Sequence, residues 1–206
     1  MSTAAPRLES SIRQHLQPLL KADGFTGSGR NFRKLGGGFI QALNVQGSRY
    51  GGQFAINLGL HPVGLPMVFG ETPELKNFKE VNCEFRRRLN ETGSDQWWSH
   101  DNTEASMDAA VQAAAEVYQR IGRPHLALLS GADSPFHSLT PEGIPGFFKS
   151  HPNYITTNFR LALALARSRK LQGRASEAKA FADYALANMG AAKGFHAELE
   201  ALSRLE

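Results

Sequence analysis

The chain has 206 residues, 41% hydrophobic and 20% charged, with a formal net charge of +4, a length that suits one buried core with a small appended unit. It has no run of about 18 apolar residues, which excludes a membrane-spanning helix, and its single cysteine, Cys83, excludes an internal disulfide and a thiolate-built zinc site. The charge excess lies in residues 1–100, where 12 Lys+Arg face 8 Asp+Glu against 11 of each in 101–206; a nucleic-acid binder usually shows a stronger, clustered basic footprint.

The opening MSTAAPRLESSIRQHL lacks the basic and continuous apolar regions of a secretory signal, so a cytoplasmic protein is expected. Residues 6–22 read as a first helix, with Pro6 in its first turn, Leu8, Ile12, Leu16 and Leu19 at helical spacing, and Gly24 as its C-terminal cap. Pro18 has no amide hydrogen to give, so a kink or break is expected before LLKADGF. Strand chemistry follows. GRNFRKL (29–35), GFIQALNVQ (38–46) and GGQFAINLGLH (51–61) are separated by the turn-forming runs GGG and SRYGG. In the third run Phe54, Ile56, Leu58 and Leu60 alternate with Ala55, Asn57, Gly59 and His61, the period of a sheet with one buried face. In EVNCEFRRRL (80–89), Val81, Cys83, Phe85 and Leu89 continue the apolar face and Asn82, Glu84, Arg86 and Arg88 the polar one.

Residues 103–121 carry an apolar helical stripe from Met107 to Ile121, closed by Gly122. Five of the ten prolines fall in 123–152, predicting a loop-rich connector with one short helix after Thr140. Two helices, 153–171 and 175–190, turn at Gln172-Gly173-Arg174, and a short third runs over 194–205. Gly173, Ala178, Ala182 and Ala185 resemble one tetratricopeptide-like unit, and a lone unit cannot bury its own face. The expected organisation is therefore an α+β sheet domain over 1–122, a proline-rich connector over 123–152 and a C-terminal helical hairpin or three-helix appendage over 153–206. The expected sheet is antiparallel, with about four strands packed against helices.

Taken in order, LLKADGF, GRNFRK, FIQALNVQ, FAINLGLH, CEFRRRL and the Trp pair of DQWW (95–98) resemble a bacterial family known as domain of unknown function 4304, over about residues 8–121. The resemblance implies a fold and no chemistry, so no catalytic residue is carried over from it. Families of this kind often look like immunity proteins encoded beside secreted toxins.

The polar strand positions are the first candidate site: Asn57 and His61 are expected to share a face with Glu84, Arg86 and Arg88 if their strands are neighbours. Alternate residues of a strand point to opposite faces, so Arg87 leaves its two neighbours and the three arginines make no single phosphate patch. The glycine runs lead into strands rather than helix N-termini, which makes them turns and not phosphate cradles. No two of the seven histidines fall at i,i+3 or i,i+4, and His125, His137 and His151 with Asp133 match no metal template. Trp97 and Trp98 cannot both enter one core from extended backbone, so one is expected to anchor the core and the other to face a groove or partner, unless both cap the sheet edge.

Neither a catalytic nor a metal site is expected, and no cofactor. The expected function is a cytoplasmic protein-binding module, an immunity or antitoxin-like protein that blocks a partner toxin, using Asn57, His61, Glu84, Arg86, Arg88, Trp97 and Trp98. An alternative is a small enzyme with Glu84 as base and Arg86 and Asn57 as anion stabilisers; RNA binding is weaker still.

Overall fold

The computed structural model describes residues 7–67, 70–151 and 154–205; Pro6 and Pro152 lie outside them. The chain is α+β. Its first helical segment runs through α1 (Leu8–Ser11), a π-helical turn (Ile12–Leu16) and α2 (Gln17–Ala22). The kink expected at Pro18 takes the form of that turn: Gln17 N–H reaches back to the Ile12 carbonyl, and Pro18 then sits in the first turn of α2, where a missing amide costs least. Gly24, at φ +87°, ends the segment, with Gly24 N donating to Lys21 O and Phe25 N to Leu20 O.

Strands β1 (Thr26–Ser28), β2 (Asn31–Gly36), β3 (Phe39–Gly47), β4 (Gln53–Pro62) and β5 (Phe85–Arg88) form an antiparallel sheet in chain order, and β6 (Trp98–Ser99) pairs with the start of β4. β1 and β6 add to the four strands expected. Phe32, Leu43, Val45, Ile56, Leu58, Leu60 and Phe85 form one face of the sheet and belong to the main core with α3 (Glu104–Val117). Thr103 caps α3, accepting from Ser106 N.

Contrary to the expectation from sequence, Gly122 does not close this helix. The chain stays helical through a π turn (Tyr118–Gly122) into α4 (Arg123–Ser130). A Cβ at Gly122 would stand 2.9 Å from Tyr118 Cδ2, 3.3 Å from Leu89 Cδ1 and 3.4 Å from Leu58 Cδ1, so the glycine lets the helix approach the sheet.

The connector expected at 123–152 is largely helical: α4, α5 (Pro135–Ser138), a 3₁₀ turn (Pro141–Gly143) and α6 (Ile144–Ser150). Four of its prolines, Pro124, Pro135, Pro141 and Pro145, stand in the first turns of these elements, which the fixed φ of proline favours. Phe136 stacks on Phe85 with centroids 4.3 Å apart, so the connector supplies core. The expected helical hairpin is α7 (Asn158–Leu171) and α8 (Ala175–Asn188), turned at Gly173 with φ +72°, and α9 (His196–Ser203) follows. Ala178, Ala182 and Ala185 are fully buried in it. One apolar cluster joins Leu8 to Leu202 through all these layers.

The second sheet face departs from expectation. β4 is buried on both sides, not one, because the irregular segment after it folds back over Ile40, Ala42 and Gly59. Phe78 and Cys83 complete a small second core there. Gly59 makes room for it: a Cβ would lie 2.5 Å from Cys83 Sγ. Cys83 is therefore on the opposite face from Phe85, since the 3₁₀ turn at Glu80–Asn82 breaks the strand alternation, and Val81 is left in water.

Candidate functional site

Register brings the polar positions of β4 and β5 to one face, with Asn57 opposite Arg88 and Gly59 opposite Arg86. Each guanidinium is tied down. Arg86 Nε and Nη2 donate to the two oxygens of Glu80, at 2.7 and 3.3 Å. Glu84 is gripped from α7: Arg160 Nε and Nη2 donate to Oε1 at 3.2 and 3.0 Å, and Nη2 to Oε2 at 3.1 Å. Both carboxylates are buried while both guanidiniums reach the surface. Arg160 follows the cap of α7, where Thr157 accepts its backbone N–H. The backbone just before the cap is pinned to the sheet edge, Ile155 N donating to Arg86 O at 2.7 Å.

Between these pairs lies a groove of about 360 Å³, lined by Met67, Val81, Cys83, Glu84, Arg86, Ile155 and Arg160 together with Glu71 and Asn82. Val81 and Ile155 expose 61% and 55% of their surface. Burial, with Glu80 close by, pushes the Cys83 thiol well above its ordinary pKa, which keeps it protonated.

The remaining candidates divide. His61 is wholly buried beneath the covering segment, with Nε2 2.8 Å from Leu65 O and Nδ1 unpartnered, and burial lowers its pKa. Asn57 is bonded along the sheet to Gln46 Oε1 at 3.0 Å and Asn44 Oδ1 at 3.4 Å. It stands opposite Arg88, at the far end of β5 from Glu84, and is not among the residues that line the groove. Arg88 pairs with Asp95 at 3.2 Å and lies over the Trp97 ring at 4.9 Å. Trp98 is in the core, stacked on Phe54 at 5.7 Å, whereas Trp97 is part-exposed with Nε1 donating to Asp95. Among the described residues no group of three or more His, Cys, Asp and Glu is placed to hold a metal ion.

A family model described as "Domain of unknown function (DUF4304)" matches residues 16–127, more than half of the chain. The chain belongs to this family. We found no match among curated proteins or solved structures. The DUF4304 match ends inside α4, so Ile155 and Arg160 come from beyond it, while Glu84 and Arg86 lie within it. Sequence reasoning missed Arg160 and Glu80. A basic residue on a helix 76 positions from its partner carries no local signal. Glu80 was hidden by the strand alternation assumed through Cys83.

Proposed function

We propose that this DUF4304 chain is a cytoplasmic, bacterial protein-binding module, an immunity or antitoxin-like protein that blocks a partner toxin by occluding its active site. The observation that carries this reading is the edge groove, where Val81 and Ile155 stand in water between two part-exposed guanidiniums. Apolar groups beside arginine make up the energetic centre of many protein interfaces. The ion pairs to Glu80 and Glu84 already order both arginine side chains, so docking costs less side-chain entropy. A net charge of +4 is unlike the acidic mimics that inhibit nucleases and favours a non-nuclease or acidic partner.

The catalytic alternative has less support. A general base needs a carboxylate free to take a proton, and both oxygens of Glu84 accept from Arg160 while Arg86 is spent on Glu80. Asn57 is bonded elsewhere. RNA binding is weaker again, because Arg86 and Arg88 are paired with Glu80 and Asp95 and Arg87 points to the other face.

Co-expression with the products of adjacent genes, followed by affinity capture of the tagged chain, should return one defined complex. Val81→Asp combined with Ile155→Asp should abolish it while leaving the circular-dichroism spectrum and Tm of the free chain nearly unchanged. The reading fails if no such product binds, or if a complex survives both substitutions.

A further inference from the structure

On the opposite face of β5 from the groove, one arginine lacks a counter-charge. Among the described residues, Arg86 and Arg88 pair with Glu80 and Asp95, but no carboxylate lies within 4.0 Å of Arg87. Arg87 is half-buried, opposite Leu58, and the isolated bridge to Tyr154 covers its strand edge. Its side-chain hydrogen bonds run to Arg88 O at 3.4 Å and to Nδ1 of His125, on α4, at 3.2 Å. The guanidinium is thus partly withdrawn from water with no carboxylate of the described residues beside it, while no atom of it is both buried and unpartnered, so its free edge is open to a solvent-borne anion.

The hydrogen bonds around His125 fix where its proton sits. Arginine only donates, so Nδ1 is an acceptor and the imidazole hydrogen is on Nε2. Nε2 lies 2.8 Å from the Tyr154 hydroxyl oxygen and therefore donates to it. The Tyr154 hydroxyl hydrogen and Arg87 Nη2 are then two donors for which the described residues supply no acceptor.

The surroundings reinforce this imbalance. His151, just after α6, stacks on Phe147 at 4.5 Å, and Phe147 lies 5.8 Å from the Tyr154 ring. Burial first, then Arg87 and His151, depress the His125 pKa to about 3, so the imidazole is neutral. Burial holds the Tyr154 phenol protonated. Among the described residues no carboxylate contributes to the electrostatics of Arg87, His125 or Tyr154.

We propose that Arg87, His125 and Tyr154 form a binding site for one small oxyanion, a phosphate or a carboxylate group, where β5, α4 and the segment after α6 meet. The anion accepts from Arg87 Nη2 and the Tyr154 hydroxyl, charge-assisted bonds of the stronger kind. It supplies the counter-charge that the fold leaves out. The site is independent of the edge groove and of the partner proposed for it.

Thermal unfolding of the full chain at pH 7 tests this, with sodium phosphate or sodium acetate replacing sodium chloride at constant ionic strength. A bound anion stabilises the folded state saturably. The expected result is a Tm rise of roughly 2–4 °C that levels off with anion concentration, is absent in Arg87→Met and is reduced in Tyr154→Phe. A response to phosphate alone assigns the site to phosphoryl groups, and a response to acetate as well assigns it to carboxylates. General salting-out climbs without levelling and is equal in all variants. The absence of a saturable rise in either anion, or an equal rise in Arg87→Met, overturns the proposal. Should Arg87→Met not fold, the ¹⁵N resonances of the His125 ring in the unaltered chain decide: a saturable displacement on adding phosphate or acetate supports the site, and unmoved resonances in both overturn it.

Discussion

The two faces of the sheet are covered by different materials. On one face, Leu43, Val45, Ile56, Leu58 and Phe85 meet helices within a single apolar cluster that extends to Leu202. On the other, a largely irregular segment with two short 3₁₀ turns rests on a core of Ile40, Ala42, Phe78 and Cys83, with Met67 packed against it, and the Glu80–Arg86 and Glu84–Arg160 pairs beside it. Apolar burial is non-directional and scales with area, so stability is concentrated on the helical face. The other face is held by directed bonds and displays its charged groups at a rim, which suits recognition better than anchoring.

The adjacent tryptophans give the largest contrast between the faces. Trp98→Ala removes the ring stacked on Phe54 and is expected to cost about 3–5 kcal/mol. Trp97→Ala loses a stacking contact with Arg88 and a hydrogen bond to Asp95, expected to cost less than about 1 kcal/mol. Urea titration of both variants measures this directly, and equal losses would erase the distinction between the faces.

The next effect is electrostatic. Arg160→Met strands the buried Glu84 carboxylate and should lose about 1–3 kcal/mol, less than for a fully buried pair because Arg160 itself is 40% exposed. Adding Glu84→Gln should recover most of that loss. A double-mutant cycle that returns no coupling would mean that the ion pair does not fasten α7 to the second face.

Much of this architecture is legible in the chain. Period-2 alternation places β2, β3 and β4, and the register puts Asn57, Arg86 and Arg88 on one face, with Glu84 just before β5. What escapes is whatever depends on contacts distant in sequence. β1 and β6 are three and two residues long, too short to carry a period. Cys83 is misassigned because β5 begins only at Phe85, after a 3₁₀ turn, so the strand alternation does not reach back to it. The covered second face did leave a signal: Gly59, a lone glycine inside an otherwise apolar strand, marks close approach by another segment. The helical connector was misread because prolines at helix starts look, one at a time, like prolines in loops.

Acid should weaken both faces through their histidines. His125, on the helical side, has its pKa depressed to about 3, and His61, under the covering segment, is also lowered, in each case chiefly by burial. The folded state therefore keeps both rings neutral, while the unfolded chain takes up protons as pH falls through about 6.5. The stability they contribute is complete above that pH and is lost as pH falls toward the folded values, over about 6.5 to 3 for His125. Between pH 7 and 5 a loss of about 1–2 kcal/mol is expected from His125, read as a falling Tm. The fall should be shallower in His125→Gln and in His61→Gln; an unchanged slope in both would remove the histidines from the account.

The smallest effect probes the difference in firmness between the two covers. Cys83 is buried and its thiol is held protonated, so iodoacetamide reaches a thiolate only when the covering segment lifts. If that segment opens on its own, little surface is exposed and the alkylation rate should change only weakly with low concentrations of urea. If Cys83 is released only when the whole chain unfolds, the rate should instead climb with the full urea dependence of global unfolding. The small apolar core beneath the segment and its dependence on two ion pairs lead to the first result. Because Cys83 also lines the edge groove, a shallow urea dependence would mean that the groove can adjust its shape to a partner without disturbing the helical face. A steep one would make the groove as rigid as the main core and leave no difference in firmness between the two faces.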